Sequence, residues 1–158
     1  MRNNLTPWSP VPIRLILGLG FIYHGYVKLF TSVGQDNFLR LLNDIGVPAA
    51  GIFSWVIGGL EFLGGIALLL GSFMTITNIL LLINMAVAMF WVNLPNGFDL
   101  MNVNIMIEAG PKFGVPGIEI NLLYIACLIS LLFTGAGNLS VDTFRKEKNS
   151  ISTVNIDS

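Results

Sequence analysis

The sequence predicts an all-α membrane protein with four transmembrane helices in an antiparallel bundle. Three observations predict it. Of 158 residues, 54% are hydrophobic and only 11% are charged, whereas soluble domains carry roughly 25% charged residues. The mean hydropathy is +0.76. The apolar residues gather into stretches of about 20, enough at 1.5 Å per residue to cross the ~30 Å hydrocarbon core. In lipid the backbone must satisfy its own hydrogen bonds, so each stretch is read as a helix.

The first span covers about 11–30. Pro7, Pro10 and Pro12 precede or open it, and Pro12 suits a first helical turn, where its missing N–H is not needed. The run is longer than the ~7–15 residues of a signal-peptide core, and no small-x-small cleavage pattern follows it, so it reads as a retained helix. The segment 31–48 sets Gln35, Asp36, Arg40 and Asp44 among Phe38, Leu39, Leu41 and Leu42, the mixture of a short amphipathic helix on the membrane surface. The second span, about 49–70, is entered through Gly46-Val47-Pro48. Gly71-Ser72 turns the chain tightly into the third, about 73–94, which Pro95-Asn96-Gly97 ends. The loop 95–117, in which Leu100 to Ile107 alternates poorly, reads as an interfacial flap or a short hairpin. The fourth span, about 118–136, follows Pro116-Gly117. Residues 1–142 therefore form a single transmembrane domain, and 143–158 a polar, disordered tail.

Charge sets orientation and excludes some partners. Arg2, Arg14, Arg145, Lys146 and Lys148 fall on one side of this topology, and Lys28, Arg40 and Lys112 on the other. The excess favours both termini in the cytoplasm. A net charge of −1 makes no case for nucleic acid. The lone Cys127 excludes an intrachain disulfide or CxxC pair, and the lone His24 an intrachain bis-His haem. No metal site and no redox centre is encoded.

The unusual residues share helical stripes. Arg14, Gly18, Phe21, Gly25 and Lys28 recur at steps of three and four in the first span, and Gly51, Ser54, Gly58, Glu61 and Gly65 in the second. Thr77, Leu81, Asn84, Ala88 and Trp91 offer a similar stripe in the third; Asn121, Tyr124, Leu128, Leu131 and Gly135 do so in the fourth. Small residues on such stripes let helices approach closely in lipid. Trp8, Trp55 and Trp91 read as interface or lipid-contact aromatics.

Glu61 lies near the middle of an uncharged run, where a carboxylate costs at least ~2.5–3.5 kcal/mol unless compensated. Aligning the first two spans by their midpoints leaves Arg14 and His24 each roughly 7–8 Å from Glu61 along the axis. An arginine side chain covers that distance and grips a carboxylate at two points, so Glu61–Arg14 is the expected ion pair. Lys28 is expected to snorkel outward, one turn beyond His24 on the same face. Glu119 reads as a helix N-terminal charge or a second acid at the outer mouth, Asn84 as a residue that hydrogen-bonds across helices, and Cys127 as an inert buried thiol.

Three segments together resemble the DoxX family. These are Arg14-Leu15-Ile16-Leu17-Gly18 with His24-Gly25-x-x-Lys28-Leu29; Gly59-Leu60-Glu61-x-x-Gly64-Gly65 running to Leu70-Gly71; and Gly117-Ile118-Glu119-x-Asn121 with Gly135-Ala136-Gly137-Asn138-Leu139-Ser140-Val141-Asp142. The resemblance spans about residues 12–142. It implies a small four-helix inner-membrane protein, with relatives linked to thiosulfate:quinone oxidoreductase and to membrane redox and thiol-stress complexes. Two function classes follow. In one, the bundle binds a quinone or similar lipid-soluble redox molecule. Glu61, Arg14 and His24 are then the expected catalytic residues, with Lys28, Asn84, Glu119 and Asn121 as ligand contacts. Electrons come from a partner redox subunit or the substrate. In the other, the chain is a non-catalytic subunit or assembly factor, its buried charges fixing the fold, alone or as a homo-oligomer.

Overall fold

A computed structural model describes residues 5–101, 103–107 and 110–154. Apart from one short hairpin it is helical. The main helices are α1 (Pro10–Phe30), α2 (Ser32–Asp44), α3 (Ala50–Leu70), α4 (Met74–Ala88), α5 (Glu119–Thr134) and α6 (Val141–Val154). A single 3-10 turn, Thr6–Trp8, precedes α1. A π-helical stretch, Met89–Asn93, and a 3-10 turn, Leu94–Asn96, continue α4. Strands β1 (Val103–Ile107) and β2 (Gly110–Phe113) pair antiparallel within the long loop, which is a short hairpin there.

Three segments are long and apolar enough to cross a membrane: Thr6–Phe30, Ala50–Leu70 and Met74–Asn96. The fourth apolar helix, Glu119–Thr134, is shorter. The amphipathic surface helix expected after the first span is α2. The tail expected to be disordered is instead helical through Val154, and residues 155–158 lie outside the described residues. What orders the start of α6 is Asp142: its carboxylate accepts from the backbone N–H of Phe73 at 3.0 Å and of Met74 at 2.9 Å. Those N–H groups open α4 and have no partner within it, so Asp142, the last residue of the expected domain, caps the third apolar helix.

Helices α1, α3, α4 and α5 pack in a ring, each touching the next, with α5 returning to α1. The core is apolar and continuous: Leu17, Phe21, Leu68, Met74, Leu81, Leu128 and Leu131 are all buried in it. The tightest pair is α1 with α3, where glycines bring two backbones together. A Cβ on Gly65 would lie 2.7 Å from the Gly18 carbonyl oxygen, and one on Gly25 would lie 2.7 Å from the Phe62 Cα. With no hydrophobic drive between helices in lipid, that close approach is the main source of association. Gly25→Val is therefore expected to force α1 and α3 apart and lower the thermal unfolding midpoint by at least ~5 °C, read by unfolding in detergent micelles. An unchanged midpoint would show that the contact carries little.

Candidate functional site

The glycine contacts also set the axial register, and the register decides which base meets Glu61. Gly25 lies against Phe62, and Gly58 lies against Leu29 and Lys28. Lys28 thus starts one turn from the level of Glu61, whereas Arg14 is about three turns away, roughly 16 Å along α1. The Lys28 Nζ donates to both Glu61 carboxylate oxygens, at 2.6 and 2.7 Å. Asn84 on α4 donates its side-chain amide to Glu61 Oε1 at 3.0 Å. Glu61 is only 5% exposed. Three helices thus meet at one carboxylate.

This corrects the expected Glu61–Arg14 pair, and with it the expectation that Lys28 snorkels. Midpoint alignment misplaced the register by several residues, because interlocking small residues, not span centres, position α1 on α3. Lys28 reaches inward along the seam. Above its ammonium sits the ring of Phe38 on α2, 4.2 Å from Nζ to the centroid, so the surface helix covers the pair with a cation–π contact. Beside it, Gln35 donates to the Ser54 hydroxyl at 3.0 Å, tying α2 to α3.

Arg14 has a different task. It is 2% exposed, and its guanidinium donates to backbone carbonyls: Nε to Leu68 at 2.9 Å, Nη2 to Leu69 at 2.8 Å and Leu139 at 3.2 Å, Nη1 to Ala136 at 2.7 Å and Asn138 at 3.2 Å. Leu68 and Leu69 end α3, and Ala136 follows the end of α5. Helix C-termini leave carbonyls unsatisfied and carry partial negative charge, so a buried cation there is stabilised by carbonyls, with the Asp142 carboxylate also within electrostatic range. Gly71, in the left-handed region at φ 63°, closes α3 directly against the guanidinium.

The other expected site residues separate into two places. His24 is exposed on α1; its ring meets Tyr23 edge-on, with centroids 5.9 Å apart. It makes no hydrogen bond among the described residues, although Glu61 and Lys28 lie within electrostatic range. Glu119 and Asn121 lie at the hairpin end, apart from the Glu61 cluster. Glu119 accepts from the Leu100 N–H at 3.0 Å, and Asn121 accepts from the Asn93 side chain at 2.5 Å. These two contacts fasten the π-helical stretch and the loop to the first turn of α5, where an acid is favoured by the helix dipole.

Two polar residues of the interior escaped sequence reasoning as partners. Asn78 is fully buried, and neither amide atom has a partner among the described residues. Tyr124 on α5 sits within electrostatic range of Glu61. Its place on the fourth stripe was visible; its closeness to the acid depends on how α5 closes the ring.

Chemically, the cluster joins a membrane-buried carboxylate, an ammonium and an amide, with an imidazole on the outer face. A family model described as DoxX matches residues 9–94. The chain is also 30% identical over 145 residues to a protein of Mycobacterium tuberculosis described as an uncharacterized membrane protein, a match covering 86% of this chain and 80% of that one. No solved structure matches the chain significantly.

Proposed function

The chain belongs to the DoxX family, and on that premise we propose that it is a four-span subunit of a bacterial inner-membrane redox system. Both termini face the cytoplasm in this reading, in line with the excess of positive residues at their end. The Lys28–Glu61–Asn84 cluster, with His24 beside it, is the place where the polar head of a quinone or similar lipid-soluble redox molecule is held. The single observation that carries this is a buried carboxylate, bound by a lysine and an asparagine, next to an imidazole that is exposed and unpaired among the described residues. Ionisable groups at such depth are rare, because each costs insertion energy, and they mark ligand or proton pathways.

The residues fit that kind of ligand. Lys28, Asn84 and His24 are donors suited to carbonyl oxygens, and Glu61 and His24 can hold or release a proton. A quinone, when bound, supplies two-electron, two-proton chemistry. Glu61 and His24 serve the protons; the electrons are supplied by a partner redox subunit or by a reduced sulfur substrate such as thiosulfate. Arg14 is not a contact in this reading, because its donors are all engaged by carbonyls.

A second reading has its own support. Both oxygens of Glu61 already receive donors, which suits a pair that fixes helix register in a non-catalytic subunit. Glu61→Gln separates the two. On the first reading the variant accumulates as folded protein but loses co-purifying quinone and thiosulfate-dependent quinone reduction. If the variant keeps both, or simply disappears from the membrane, the structural reading stands.

A further inference from the structure

Tyr124 sits where α5 closes against α1. Its ring packs edge-on to Phe21, with centroids 5.3 Å apart and planes at 80°. Its hydroxyl rests in a notch left by Gly20, where any Cβ would collide with it. That hydroxyl makes no hydrogen bond among the described residues, although an unpaired hydroxyl at the level of the hydrocarbon core is unfavourable. Gly20 and His24 are four residues apart, so they lie one above the other on the same face of α1. The hydroxyl and the imidazole are therefore stacked along one seam of the bundle, about 6 Å apart in height. Glu61, reached from the same side, lies within electrostatic range of both.

We propose that Tyr124 is a ligand-binding residue, its hydroxyl donating to a carbonyl oxygen of a quinone that lies on the α1–α5 seam between Gly20 and His24. The inference rests on the quinone reading above and adds to it a second donor and a direction of entry, sideways from the lipid. Gly20 is part of the device: a residue with a side chain there would fill the notch and displace the hydroxyl.

The test uses the full chain in lipid nanodiscs, with decylubiquinone as the probe and quenching of the native tryptophans, Trp8, Trp55 and Trp91, as the readout. Tyr124→Phe removes only the hydroxyl. It is expected to weaken binding about fivefold, the equivalent of one hydrogen bond, with the unfolding midpoint unchanged. Gly20→Ala is expected to weaken binding similarly by moving the hydroxyl. Affinity in Tyr124→Phe within twofold of the native chain would overturn the assignment. If Glu61→Gln abolishes binding while Tyr124→Phe leaves it intact, Tyr124 is excluded and the quinone reading survives. If the native chain quenches no more than a control membrane protein in the same lipid, both fall.

Discussion

Replacing Arg14 by methionine is expected to remove most folded protein from the membrane. The side chain is almost wholly buried and serves carbonyls from the end of α3 and from the segment after α5. Each acceptor left unpaired costs about 1–3 kcal/mol. Even if water reaches some of them, the sum should exceed ~4 kcal/mol, which is a large share of the stability of an ordinary domain. Methionine has nearly the right length and no donor, so the loss reports hydrogen bonding more than volume. Arg14→Lys keeps the charge but has fewer donors without the planar fork, and is expected to recover part of the loss. The measurement is the folded fraction after extraction, read by size-exclusion chromatography, together with the thermal midpoint. Normal accumulation of Arg14→Met would show that the clamp is dispensable.

The second large effect is expected from Lys28→Met. It leaves Glu61 buried with only Asn84 as a donor. Breaking a buried pair by removing one partner costs about 3–5 kcal/mol, more than losing both together. The carboxylate can escape part of that penalty by taking up a proton. A protonated-carboxyl band in the infrared spectrum, absent from the native chain and from Lys28→Met/Glu61→Gln, would report it. A stability equal to native would mean that Lys28 contributes no more than a lipid-facing side chain.

Most of the architecture was legible because it rests on length and periodicity. Spans of about 20 apolar residues, closed by Gly71-Ser72 and by Pro95-Asn96-Gly97, lead directly to α1, α3 and α4, whereas α5, at 16 residues, is shorter than the span expected there. The inward stripes follow from helical spacing: Arg14, Phe21, Ser54, Glu61, Leu81, Asn121 and Leu128 are indeed buried, although Trp91, on the third stripe, is exposed. The site was legible in its residue types but not in its pairing. Arg14, His24 and Lys28 all lie on α1, and the choice among them depends on an axial offset that composition does not contain. The offset comes from backbone contacts at Gly18, Gly25 and Gly65, which act at sub-ångström tolerance. The end of the chain was misread for a related reason. Residues 143–158 looked like a solvated tail, but the Asp142 carboxylate just before them is spent on the first N–H groups of α4, a contact across almost 70 residues that no local pattern announces.

The pairing of Lys28 with Glu61 is tested most directly by a double-mutant cycle in lipid bicelles. Lys28→Met, Glu61→Gln and the double variant are compared with the native chain by reversible unfolding. Strong coupling is expected: the double variant should be more stable than the two single losses added together predict, by about 2 kcal/mol or more. Additive losses, to within about 0.5 kcal/mol, would contradict a buried Lys28–Glu61 pair.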